Sequence, residues 1–97
     1  MTVMQAKRPA GITILGATGS IGINTLDVVA RYPDRFRVIA LTAHTDIDTL
    51  AAQCEQFLPQ YAVLADPAAA GQLQQRIRET APDVHVLAGS DALVEVA

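Results

Sequence analysis

Four short apolar runs rich in β-branched residues alternate with segments whose apolar residues recur at helical spacing, and this alternation restricts the fold more than any other feature of the chain. Ile12-Thr13-Ile14-Leu15 is continuous and followed at once by glycines, which marks a buried strand. From Ser20 onward Gly22, Leu26, Val29 and Ala30 form a helical stripe, which Pro33 closes because proline cannot continue a helix. Arg37-Val38-Ile39-Ala40-Leu41-Thr42 is a second buried strand. Ile47, Leu50, Ala51, Cys54 and Leu58 make the next stripe, opened by Thr45 and Asp48 as a variant capping box and ended by Pro59. Tyr61-Ala62-Val63-Leu64-Ala65 is a third strand. Asp66 then offers a side-chain cap and Pro67 takes the first helical position, with Leu73 and Ile77 on the buried face. Val84-His85-Val86-Leu87 is a fourth strand, after which Gly89 turns the chain and Ser90 caps a helix carrying Leu93, Val94 and Ala97.

Strands separated by helices connect through right-handed crossovers, so the expected class is α/β, a Rossmann-like parallel sheet of four strands with helices on both faces. At 97 residues the chain has room for one core. The expected division is a flexible polar leader over residues 1–11 and a single nucleotide-binding domain over 12–97. The last helix reaches only about two turns by Ala97, with no cap after it. The expectation is therefore an amino-terminal portion of a longer protein, whose catalytic and carboxy-terminal domains lie beyond these residues.

The formal net charge is -3, and the cations, Lys7 and six arginines between Arg8 and Arg78, form no basic stripe. Nucleic acid and anionic membrane surfaces are thus not expected partners. No run approaches the roughly 18 apolar residues of a spanning helix, and the leader lacks the hydrophobic stretch of a secretory signal, so a cytoplasmic location is expected. A lone Cys54 cannot form an internal disulfide and reads as a small buried hydrophobe. Two histidines far apart give no metal-ligand pattern.

The chemistry is written in Gly16-Ala17-Thr18-Gly19-Ser20-Ile21-Gly22, between the first strand and the first helix. In a nucleotide-binding βαβ unit the first glycine permits a tight turn, the second lets backbone approach a pyrophosphate, and the third lets helix pack closely on strand. The N–H groups from Thr18 to Ile21 would lie at a helix N-terminus, where free donors and the helix dipole favour an anion, and the Thr18 and Ser20 hydroxyls add donors. The glycine spacing is three and three, not the two and three of the commonest fingerprint. After the second strand an NAD site usually carries an acid that accepts from the ribose hydroxyls and would repel a 2′-phosphate. Ala43-His44-Thr45 has none, so NADP is favoured over NAD. His44 also reads as a solvated loop residue, and Thr45 or Asp46 as a helix cap.

Other charged residues read as structure. His85 sits in the fourth strand without a partner acid, Arg35 and Arg37 flank the end of the sheet opposite the ligand crevice, and Asp27, Asp34, Glu55, Glu79 and Glu95 fall on helices or their ends. No catalytic residue and no metal ligand is identified.

Residues 12–22, followed by Thr25-Leu26-Asp27-Val28-Val29, strongly resemble the amino-terminal segment of the deoxyxylulose-phosphate reductoisomerases. The likeness continues through Phe36-Arg37-Val38, Ala40-Leu41, Tyr61-Ala62-Val63 and Val86-Leu87 to Gly89. The resemblance implies the NADPH-binding portion of an oxidoreductase that converts 1-deoxy-D-xylulose 5-phosphate to 2-C-methyl-D-erythritol 4-phosphate in non-mevalonate isoprenoid synthesis. It further implies a divalent metal, Mg or Mn, held elsewhere in a full-length homodimer, a phosphosugar substrate, and a 97-residue portion that is inactive alone. Carried over by position, Thr18, Gly19, Ser20 and Ile21 would contact the NADPH phosphates and ribose, and His44, Thr45 and Asp46 would lie near the adenosine 2′-phosphate. Ala17, His44 and Asp46 depart from the residues usual in the family. Three other readings share the glycine turn: the cofactor domain of a semialdehyde or acyl-phosphate reductase, a non-enzymatic NAD(P) sensor, and a structural α/β domain with an empty turn.

Overall fold

The structure, a computed structural model, describes residues 10–89. Seven elements follow one another: β1 (Ala10–Ile14), α1 (Ser20–Arg31), β2 (Phe36–Ala43), α2 (Ile47–Phe57), β3 (Tyr61–Leu64), α3 (Pro67–Arg76) and β4 (His85–Ala88). These elements build the expected Rossmann-like α/β class, but the three described helices share one face of the sheet and do not cover both as expected. All strand pairs are parallel and the order is β1-β2-β3-β4. The helix expected after Ser90 and the acid Glu95 lie outside the described residues.

Each crossover steps to the next strand in the same direction, so right-handed connections bring α1, α2 and α3 to one face of the sheet. That face buries Ile14, Val38, Leu41, Ala62 and Leu64 in one cluster with Leu26 and Val29 of α1, Leu50 and Cys54 of α2, and Leu73 of α3. Positions pointing the other way, Ala40, Thr42 and Val63, are buried too, which is why the strands read as continuous apolar runs and not as alternating ones. The pairing of β1 with β2 slips between Ile12 and Thr13, so that Val38 and Ala40 face consecutive residues of β1. This bulge keeps Val38 and Leu41 in the same core although they are three positions apart.

The structure moves several expected boundaries by one or two residues. β1 begins at Ala10, and Leu15 lies past its end and is exposed. The α2 N-cap is Asp46, whose Oδ1 accepts from the Thr49 N–H at 3.1 Å, and not Thr45 with Asp48. Asp48 instead accepts from Arg76 of α3. Leu58 leaves the buried stripe: it adopts φ 48°, ψ 57° as the C-cap, 63% exposed. Pro59 explains why the helix stops here, because the residue before a proline is driven out of the right-handed helical region, and the left-handed C-cap lets the Leu58 N–H still reach the Cys54 carbonyl. Asp66 is the α3 N-cap with Pro67 at the first position, but its side chain makes no capping hydrogen bond. Ala30 of α1 is exposed. Leu73 and Ile77 are buried as the spacing requires.

Candidate functional site

The turn after β1 is braced from β2 and α2. Gly16 takes φ 68°, a left-handed conformation open to glycine at little cost. Its N–H donates to the Thr42 hydroxyl at 2.9 Å, and the next N–H, of Ala17, donates to the Thr42 carbonyl at 2.7 Å. The Ala17 side chain is fully buried, and its carbonyl accepts from Nε2 of Gln53, a buried residue of α2, at 2.8 Å. The Gly19 N–H closes the turn on the Gly16 carbonyl at 3.0 Å.

Gly22 performs the packing function assigned to the third glycine. A β-carbon there would stand 2.3 Å from the Gly16 carbonyl oxygen and under 3 Å from two backbone atoms of Ala17, so only glycine lets α1 come this close to the turn. At Gly19 a β-carbon would meet only that same oxygen, at an ordinary 3.5 Å. The constraint at Gly19 is therefore not an internal one; a side chain there would fill the space beside the turn. Gly19 is the N-cap of α1, in extended conformation, and no side chain caps the helix. The N–H groups of Ser20, Ile21 and Gly22 have no intrahelical acceptor, and the first turn contains no acid. The result is an uncompensated positive helix terminus beside a flat stretch of backbone, which fits the phosphates of a dinucleotide. Thr18 is half-buried, while Ser20 and Ile21 are exposed, Ile21 at 83%.

The tip of β2 ends at the same edge of the sheet. Ala43 is buried, and His44, Thr45 and Asp46 are exposed in the turn that leads into α2. The Asp46 carboxylate is engaged as the cap, which brings a negative charge to the position where a 2′-phosphate was expected. The His44 carbonyl accepts from the Asp66 N–H at 3.4 Å, tying this tip to the start of α3. A groove of about 880 Å³ lies not over the glycine turn but between Thr45, Asp46 and Asp48 on one side and Gln72, Gln75 and Arg76 of α3 on the other.

The remaining sequence readings find their places. His85 opens β4, exposed, with its ring 6.0 Å from that of Tyr61. Arg35 lies over the Tyr32 ring at 5.7 Å, Arg37 is exposed, and Asp27 pairs with Arg31 on the α1 surface. Glu55 accepts from the Thr80 hydroxyl. Cys54 is fully buried, and burial, with a smaller contribution from Glu55, pushes its thiol up from 9.0 to about 12, so it is no nucleophile at neutral pH. Among the described residues no three His, Cys, Asp or Glu side chains gather as a metal site, and no helix is long and apolar enough to cross a membrane. Gln53 and Thr42 were not singled out from sequence; a polar residue on the inner side of a helix otherwise lined by Leu50, Ala51 and Cys54 was the available signal.

A one-directional parallel sheet carrying an uncapped helix behind a glycine turn defines a Rossmann-like α/β domain with the turn geometry of the dinucleotide-binding class. Known proteins narrow this further. The profile of the 1-deoxy-D-xylulose 5-phosphate reductoisomerase family matches residues 12–97, and the chain belongs to that family. It is 58% identical over 86 residues to the 1-deoxy-D-xylulose 5-phosphate reductoisomerase of Laribacter hongkongensis, covering 89% of this chain and 22% of the relative. With that of Nitrosospira multiformis the identity is 56% over the same shares. The chain thus spans about a fifth of the length of its curated relatives. Among solved structures it superimposes with a TM-score of 0.84, at 43% identity, on the Zymomonas mobilis reductoisomerase in complex with NADPH, covering 91% of this chain and 23% of that one. A reductoisomerase structure with NADPH, fosmidomycin and magnesium matches with a TM-score of 0.82 at 36% identity, over 89% of this chain and 21% of that one.

Proposed function

We propose that residues from β1 onward form the NADPH-binding amino-terminal portion of a reductoisomerase that converts 1-deoxy-D-xylulose 5-phosphate to 2-C-methyl-D-erythritol 4-phosphate. The observation that carries this reading is the Gly16–Gly22 turn, braced from Thr42 and Gln53, with the open N-terminus of α1 behind it. Membership of the family and the likeness to a reductoisomerase in complex with NADPH support the choice among the readings that share this turn.

In this reading the bound nicotinamide cofactor supplies the hydride. Ser20 and Ile21 hold the phosphates through their main-chain N–H groups, with Thr18 and Ser20 hydroxyls as further donors, while bare Gly19 leaves the backbone accessible. His44, Thr45 and Asp46 border the adenosine 2′-phosphate, with His44 and Thr45 as its donors. The phosphosugar and a divalent metal, Mg or Mn, are held by residues outside 10–89, in a cytoplasmic protein that is a homodimer at its full natural length. These 97 residues alone bind cofactor weakly and turn over no substrate.

Titration calorimetry on the natural full-length protein tests the reading. NADPH binds more tightly than NADH, and Gly19→Val abolishes binding of both while the fold persists, because its β-carbon has room within the protein. Equal affinity for the two nucleotides removes the 2′-phosphate assignment. Unchanged binding in Gly19→Val removes the turn itself.

A further inference from the structure

Gln53 is the one buried polar side chain of α2, and its hydrogen bonding is lopsided. Nε2 donates to the Ala17 carbonyl at 2.8 Å, across 36 residues of sequence, whereas Oε1 is buried with no partner among the described residues. A glutamine kept for stability alone would satisfy both ends, because an orphaned buried acceptor is costly. An apolar side chain of the same length would fill the same space among Leu50, Ala51 and Cys54 with no orphaned acceptor of its own, exchanging it for an unpartnered Ala17 carbonyl at about equal stability. What such a side chain could not do is hold Ala17, the residue directly between Gly16 and Thr18.

Resting on the NADPH reading above, we propose that Gln53 is a positioning residue for the cofactor: through the Ala17 carbonyl its amide fixes the glycine turn against which the pyrophosphate lies. Thr42 fixes the N–H groups of two successive turn residues, receiving Gly16 N–H on its hydroxyl and Ala17 N–H on its carbonyl. Gln53 fixes the carbonyl side. Together they prevent the Gly16–Gly19 segment from rotating, and such rotation would swing the N–H groups of the first α1 turn away from the phosphates. The orphaned Oε1 is the counterpart of that donor, since only an amide brings both into the same buried space.

Gln53→Met separates positioning from packing. It removes the orphaned acceptor but leaves the Ala17 carbonyl without a partner, so the balance of unsatisfied groups is kept and the melting temperature stays within about 5 °C of the parent. NADPH and NADH each bind about tenfold more weakly, by the same factor, because the pyrophosphate is common to both. Adenosine 2′-monophosphate, which has no pyrophosphate, binds the natural full-length protein and its variant alike. Gln53→Leu, neutral and also without the amide donor, serves the same comparison should the methionine variant fail to fold. Unchanged NADPH affinity in a folded variant overturns the proposal, and so does an equal loss for adenosine 2′-monophosphate, which would indicate general loosening. A parent protein that binds neither NADPH nor NADH overturns the cofactor reading itself, a result distinct from either.

Discussion

Replacing Gly22 by alanine tests whether α1 approaches the turn as closely as a phosphate-binding loop requires. In an ordinary helix this change stabilises by about 1 kcal/mol, because alanine has the highest helix propensity and glycine nearly the lowest. Here the new methyl group would stand 2.3 Å from the Gly16 carbonyl oxygen, 2.7 Å from the Ala17 α-carbon and 2.9 Å from its carbonyl carbon. A comfortable contact is about 3.5 Å, so α1 must retreat by roughly 1 Å. All three obstacles are backbone, and none can rotate aside. The turn they belong to is also held by Thr42 and Gln53, so retreat strains those bonds as well. Overpacking of this kind costs typically 1–3 kcal/mol; three backbone obstacles put this site at about 3 kcal/mol, and with the propensity gain of about 1 kcal/mol subtracted a net loss of about 2 kcal/mol is expected. That corresponds to roughly 10 °C in melting temperature for a domain of this size. Gly71 supplies the internal control: it lies in α3, and a β-carbon there meets nothing within 4 Å. Gly71→Ala should raise stability by about 0.5–1 kcal/mol. Urea and thermal unfolding of the two variants, followed by circular dichroism, give the comparison directly. If Gly22→Ala is stabilised as much as Gly71→Ala, the close approach does not exist, and the three-and-three glycine spacing loses its role as a cofactor turn.

Three further outcomes follow from the same geometry. Thr42→Val leaves the Gly16 N–H without its acceptor and should cost about 1–2 kcal/mol in urea unfolding, most of it recovered in Thr42→Ser; equal losses in both would show that the hydroxyl is not what matters. Asp46→Asn keeps a cap on α2, since asparagine caps as well as aspartate, but removes a negative charge from the tip of β2. If the 2′-phosphate lies there, NADPH affinity rises about threefold by calorimetry at low salt while NADH affinity is unchanged; a parallel rise in both would place the phosphate elsewhere. Cys54 makes stability fall at alkaline pH. Its thiol stays protonated to about 12 when folded but ionises near 9.0 when exposed, so above pH 9 the unfolded chain holds fewer protons and unfolding is favoured. The loss approaches about 1.4 kcal/mol per pH unit between 9 and 12 and should vanish in Cys54→Val, as read from urea midpoints across that range.

The alternation of strands and helices was legible because the central strands β2 and β3 are buried on both faces, which leaves continuous apolar runs, and because prolines at 33, 59 and 67 mark helix ends. The glycine turn was legible by residue type, since φ 68° at Gly16 favours glycine and the contact at Gly22 excludes a side chain. What escaped has a common cause, that competing local signals are settled only by partners distant in the chain. Thr45 and Asp46 are both good cap residues, and one position of phase in α2 decides between them. Leu58 satisfies the helical period, yet the proline after it bars the right-handed helix, and the residue becomes a left-handed C-cap. Gln53 looks like a solvated helix residue until α2 is laid against the first turn, 36 residues away. A single buried polar residue between apolar neighbours therefore carries more site information than the exposed charges around it, because only a specific acceptor can justify its burial. By that criterion the two polar side chains buried among the described residues, Thr42 and Gln53, both end on adjacent residues of the turn, Thr42 on the Gly16 N–H and Gln53 on the Ala17 carbonyl. The fold places its costliest burials where the cofactor reading needs the backbone most rigid.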